Sequence, residues 1–243
     1  MSDREEESDD DDGVVFEEEQ FQVGSHSFAV TTIAFMPIEV LMNMNDQRVE
    51  ISGQKLWCGS LGVIEYLQNS DCSSFVENAT VVELGAGTGV LGMLCKKLGA
   101  SRVLLTDYDN RSLKHMAKDC ITNNIDADVI KLNWFTASED VKNLDLKLDE
   151  PLRIVAGDVL YKQPLLEPFM NTAKLLLQSN SNSEMLLCHI PRADIQQEHI
   201  IQKAKDADLK INEIDPSLWR KGSCTEYSPP EDYERARLYK ITI

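Results

Sequence analysis

No apolar run in the 243 residues approaches the ~20 that a membrane-crossing helix requires. Cysteine is sparse and never paired as CxxC: Cys58, Cys72, Cys95, Cys120, Cys188 and Cys224 stand at least 14 positions apart. That spacing excludes a zinc-finger or dithiol redox motif. The four histidines, His26, His115, His189 and His199, do not fall at ligand spacing, so no metal site is expected. Positive charge is short as well: 24 Lys and Arg face 41 Asp and Glu, a net charge of −17. Such a chain is repelled by phosphates and is not expected to bind nucleic acid. The opening MSDREEESDDDD lacks the apolar stretch of a signal peptide. With no export signal, reduced cysteines and a cytoplasmic or nuclear location are expected.

The chain does hold a sharp charge asymmetry. Its first nineteen residues carry eleven acids and one base, a net −10, against −7 for all the rest. Residues 1–13 are therefore expected to be a disordered acidic tail, a solvating appendage or a docking strip for a basic partner. VVFEEEQFQV and HSFAVTTIA, joined at Gly24-Ser25, read as a hairpin within a segment over 14–58. A helix follows over GVIEYLQNS, with Val63, Ile64 and Leu67 on one face. From residue 80 onward strands and helices alternate: TVVEL, RVLLTD, ADVIKLNW, LRIVAGD and SEMLLCHI each precede a helix or an irregular stretch, and LKINEID and RLYKITI close the chain. That alternation predicts an α/β domain over 59–243, with a mostly parallel sheet covered by helices on both faces. Ligands in such sheets sit beyond the carboxyl ends of the strands. Gly85–Gly89, Asp107, Trp134, Asp158 and His189 fall on that rim.

The stretch VELGAGTGV sits at the turn after the first strand of this alternation. A dinucleotide fingerprint would need a small residue at position 90, which is Val90, and a phosphate loop would end in Gly-Lys followed by Ser or Thr. Asp107 ends the next strand, where an acid can accept both hydroxyls of a ribose. Glu83 would repel a diphosphate and favour a ligand carrying an ammonium and a sulfonium; alternatively it is a strand-end acid bonded to nearby amides.

The set ExGxGxG at 83–89 and LLTDYD at 104–109 resembles the seven-strand, Rossmann-like S-adenosylmethionine-dependent methyltransferases. GQKLWCGSLGVIEYL at 53–67, LNW at 132–134 and GDVLY at 157–161 extend the resemblance to methyltransferase family 16, which contains many protein-lysine methyltransferases. The family implies a seven-stranded sheet, S-adenosyl-L-methionine as cofactor and a protein lysine as acceptor; the chain is expected to act as a monomer. It also implies residue roles. Glu83, Gly85, Gly87, Thr88 and Gly89 would line the methionine end of the cofactor. Asp107 and Tyr108 would lie at the ribose, Trp134 would pack by the adenine and Trp57 would close over the cofactor. Asp158 and Tyr161 would hold the acceptor. Where many relatives follow the tryptophan with proline or aspartate, this chain has Trp57-Cys58-Gly59.

Several readings compete. Trp134 and Trp57 could be core aromatics, Asp158 could cap the helix opening near Gln163-Pro164, and Trp219 could be a lid. His189 is a base or a structural histidine, and SPPEDY at 228–233 reads as a turn. An arginine, N-terminal or small-amine acceptor, a non-catalytic cofactor-binding adaptor and a nicotinamide-dependent reductase are the rival functions.

Overall fold

A computed structural model describes residues 13–43, 52–69, 72–147, 150–222 and 225–243. The acidic tail through residue 12 and Cys224 lie outside them. Strands β1 (Val15–Val23) and β2 (His26–Phe35) pair antiparallel as a separate two-stranded sheet turning at 24–25. A short helix not anticipated from the sequence, α1 (Ile38–Asn43), follows. Helix α2 (Cys58–Gln68) starts four residues earlier than the periodicity suggested.

The main sheet has seven strands: β3 (Thr80–Leu84), β4 (Arg102–Asp107), β5 (Asp128–Lys131), β6 (Leu152–Gly157), β7 (Ser183–His189), β8 (Lys210–Glu213) and β9 (Arg237–Thr242). Their order is β5-β4-β3-β6-β7-β9-β8, and β9 alone runs antiparallel to its neighbours. The chain winds outward from β3 through β4 to β5, then returns to β6 on the other side of β3. The reversal opens a crevice beyond the carboxyl ends of β3 and β6.

Side chains alternate across these strands, so each strand feeds two cores. Val81, Val103, Leu105, Val155 and Leu186 point to a layer holding α2, α3 (Val90–Lys97), α4 (Asn110–Thr122) and hairpin residues Phe21, Val23, Phe28 and Val30. Val82, Leu84, Leu104, Ile154 and Leu187 face the opposite layer, filled by α6 (Leu166–Gln178) and α7 (Gln197–Asp206). Val63, Ile64 and Leu67 are fully buried, each worth roughly 1.5–3 kcal/mol of burial. The hairpin is fastened to α4 by polar contacts. Asp119 accepts the Thr31 amide and hydroxyl, each at 2.8 Å, and Asn123 brackets the Ala29 amide and carbonyl. These side chains, one helical turn apart, satisfy the open edge of β2.

Some elements differ from their sequence reading. The strand at 127–134 stops at Lys131, because Trp134 opens a tight turn over Trp134–Thr136. The stretch after it holds a one-turn helix, α5 (Ala137–Asp140). SPPEDY is not merely a turn: Pro230 opens α8 (Pro230–Arg235), its fixed φ and missing amide suiting a first helical position.

Helix α2 meets β6 backbone to backbone. A methyl added at Gly59 would lie 2.3 Å from the Asp158 amide nitrogen, and one at Gly157 would lie 2.4 Å from that of Ser60. Neither neighbour is a flexible side chain, so one element must shift. Gly59→Ala is expected to cost about 2 kcal/mol or more in denaturant unfolding; a loss below about 0.5 kcal/mol would mean the two backbones separate freely.

Candidate active site

After β3 the chain turns through Gly85, Gly87 and Gly89, all with positive φ, into α3. The Ala86 amide bonds the Thr106 carbonyl at 2.9 Å, which keys the turn to β4. At Gly87 the requirement is double. Its φ is +56, and a Cβ there would lie 2.8 Å from the Gly53 carbonyl oxygen. The Gly87 amide donates to Asp107 Oδ2 at 3.0 Å, while Asp107 Oδ1 accepts the Asp109 amide at 3.1 Å. Two acceptor oxygens at a strand end suit a ribose diol. Burial pushes the Asp107 carboxyl up, and its amide donors oppose that shift.

Glu83 lies beneath this turn, 2% exposed. Its Oε2 accepts the Gly92 amide at 2.8 Å in the first turn of α3, so the carboxylate does bond a nearby amide and sits at a helix N-terminus that favours negative charge. Burial nonetheless pushes its carboxyl up to about 8, and the Asp107 charge adds to the rise. A cationic ligand over the turn would offset that cost. Thr88 is buried within the turn, and Tyr108 stands 47% exposed after β4. Trp134 is half-buried. Its ring lies against Gly85, 3.2 Å from where a Cβ would sit, and meets Phe169 edge-on at 5.0 Å. It is therefore a core contact on one side and a wall of the turn on the other.

A strap over 52–57 crosses the turn. Gly53 rests on Gly87. Gln54, 1% exposed, donates to Ser112 Oγ at 2.7 Å and accepts from His115 Nδ1 at 2.5 Å, which anchors the strap on α4. Burial holds the His115 pKa below its usual value. Ser52 joins the two aromatic candidates: its carbonyl accepts the Trp57 indole N–H at 2.6 Å, and its hydroxyl lies 3.3 Å from Tyr161 Oη. Trp57 is 37% exposed.

Asp158 follows β6 in the left-handed region, φ 60. Its side chain is 1% exposed and both oxygens are held by Arg192, at 2.5 and 2.6 Å. Burial raises its pKa while Arg192 lowers it. It caps no helix: the turn Gln163–Leu165 starts after Lys162 with no side-chain cap. Trp219 is not a lid, because it is fully buried between Gly62 and Tyr233. His189 is fully buried as well. Its Nε2 lies 3.3 Å from the Ile195 carbonyl and burial pushes its pKa down to about 4, the state of a neutral structural histidine.

Sequence reasoning missed Ser52, Gln54 and Arg192. Gln54 lies within the quoted motif, but an amide in a polar stretch gives no sign of burial. Arg192 stands three residues beyond a rim strand, and nothing in its neighbours marks its partner. The glycine cradle, the buried acid at the next strand end and the second acid beneath the turn fit a nucleoside carrying a cationic tail.

Two outcomes follow. Gly87→Ala should weaken S-adenosylhomocysteine binding at least about tenfold in calorimetry, and affinity within about twofold would remove the turn from the site. Because the folded chain keeps the Glu83 proton that the unfolded chain releases above about pH 4.3, ionising Glu83 costs stability as pH rises toward about 8. Glu83→Gln should therefore gain over the parent between those values, by at most about 1.4 kcal/mol per pH unit. Calorimetric unfolding of the ligand-free proteins reads this; a pH-independent difference would mean Glu83 is ionised throughout.

A family model described as lysine methyltransferase matches residues 39–206. Ribosomal protein L11 methyltransferase of Thermosipho melanesiensis is 35% identical over 82 residues, which are 34% of this chain and 30% of that protein. Protein N-lysine methyltransferase METTL21A of Xenopus tropicalis is 28% identical over 138 residues, 54% of this chain and 57% of that one. The chain thus covers less than two thirds of either relative. Among solved structures, SMU.776 complexed with SAH shares the fold with a TM-score of 0.59 at 13% identity, over 93% of this chain and 56% of that one. With the fold, the turn and this match in agreement, the chain belongs to the lysine methyltransferase family.

Proposed function

We propose that this protein methylates a lysine side chain of a protein substrate, acting as a monomer in the cytoplasm and nucleus. The observation that carries the reading is the aromatic pair Tyr161 and Trp57, linked through Ser52 at the rim beside the glycine turn. Aromatic walls favour the alkyl stem of lysine and tolerate its charge. The family description and the relatives named as protein methyltransferases support a protein acceptor. The net charge of −17 disfavours nucleic acid as partner. The buried thiols of Cys58, Cys95, Cys120 and Cys188 serve as apolar packing, in keeping with a reducing compartment.

S-adenosylmethionine supplies the methyl group, as an electrophile beside a positive sulfur. The chain's own residues position the amine for in-line attack. A lysine amine near pKa 10.4 must lose its proton first. Desolvation between Trp57 and Tyr161, next to a cationic cofactor, lowers that pKa, and water can take the proton. Asp158 neither holds the acceptor nor serves as a base in this reading, because Arg192 already holds both its oxygens.

Incubating the protein with labelled cofactor and lysate from cells lacking it should place the label on lysine, identified after hydrolysis. Tyr161→Ala should reduce transfer about tenfold or more while leaving S-adenosylhomocysteine affinity within about twofold. Full-rate transfer by that variant would remove Tyr161 from the acceptor side.

A further inference from the structure

We propose that Arg192 is the positioning residue of the acceptor side, clamping the 158–163 loop so that Tyr161 meets the strap carrying Ser52 and Trp57. The proposal rests on the acceptor reading given above. Its starting point is a strained residue: Asp158 adopts φ 60 without being glycine, a conformation that persists only where the surroundings over-determine it. Three constraints do so. The Asp158 amide donates to the Cys188 carbonyl at 2.8 Å. Its carboxylate is gripped by both terminal nitrogens of Arg192, a planar fork that lysine cannot reproduce. Gly59 of α2 packs directly on its backbone.

Arg192 is itself fixed. Its amide donates to the Ile195 carbonyl at 2.9 Å, and its carbonyl accepts from the Ile195 amide at 3.1 Å and from Gln196 Nε2 at 2.5 Å. Gln163 Nε2 donates to the Asp194 carbonyl. The 158–163 loop is thus tied to the 190–196 loop at both its ends, by Asp158–Arg192 and Gln163–Asp194. Tyr161 lies between the ties, with its hydroxyl 3.3 Å from Ser52 Oγ. Loosening the Arg192 tie frees the loop at the end nearest the strand.

The charged and titratable groups facing Asp158 are Arg192 after β7, Cys188 on β7, Cys58 at the start of α2 and Asp232 on α8. Only Arg192 among them favours the ionised carboxylate. Without it, raising the pH creates an unpaired buried charge, which the loop can relieve by opening. Removing both partners avoids that charge.

The test compares wild type, Arg192→Gln, and Asp158→Asn with Arg192→Gln, over about pH 6 to about pH 9. S-adenosylhomocysteine affinity is expected to stay within about twofold in all three. Labelled methyl transfer into protein of the same lysate should fall at least about tenfold in Arg192→Gln, with a deficit that grows as pH rises. The double variant should recover most of the rate and the wild-type pH dependence. A merely structural arginine would lower both variants alike at every pH, and that result, or wild-type transfer by Arg192→Gln, overturns the proposal. Amide hydrogen exchange over 158–163 and 52–57 gives a readout without substrate. Exchange should quicken in Arg192→Gln and return in the double variant; unchanged exchange overturns the proposal even if no lysate protein is labelled. Label found on a residue other than lysine sinks the lysine acceptor and leaves the role of Arg192 standing.

Discussion

At the carboxyl end of the sheet, backbone lies against backbone with no side chain between. Gly87 rests under Gly53, Gly59 rests on Asp158, and Gly157 rests on Ser60. Each contact removes the space a Cβ needs, and together they draw the strap, the turn after β3 and the loop after β6 into one rim. That closeness allows peptide groups to form much of the site's surface, where a nucleoside can approach main-chain donors. It also makes the rim rigid, since the turn and the loop continue strands packed on both cores and the strap leads into α2, packed on one.

Besides Asp119, four carboxyl groups are buried among the described residues, and each is stabilised differently. Glu83 takes an amide in the first turn of α3. Asp107 takes one amide from the turn and one from the start of α4. Asp158 takes an arginine fork. Glu65 on α2 accepts the Lys221 and Gly222 amides and the Tyr233 hydroxyl, which docks the late segment containing Trp219. An arginine neutralises its carboxylate outright, whereas amides contribute only partial charge. Glu83 and Asp107 therefore remain sensitive to a cation arriving above them, while Asp158 is already matched. This division places charge sensitivity at the turn after β3 and rigidity at the loop after β6.

Much of this was legible in the residues. TVVEL and RVLLTD announce buried strands through continuous apolar runs, and Gly99, φ 97, marks the end of α3 as its position suggested. The places of the glycine turn, Asp107 and Trp134 on the rim were identifiable because local chemistry marks them: a positive φ, a strand-end acid, an aromatic after a strand. Asp158 was identifiable as a rim residue, but its arginine partner was not. Trp219 was left open as a lid because a tryptophan in a long loop carries no local sign of burial. It is buried against Gly62 of α2 and Tyr233 of α8, 157 and 14 positions away in the chain.

The sequence by itself determined the order of strands and helices, the mostly parallel sheet and the position of the rim. These follow from side-chain periodicity and turn chemistry, which act over a few neighbouring residues. Only the tertiary structure decided that Ser52 bridges Trp57 to Tyr161, that Gln54 pins the strap to α4 and that Arg192 holds Asp158. Those contacts join residues tens to more than a hundred positions apart or turn on side-chain direction within a folded strap, and no local pattern encodes either.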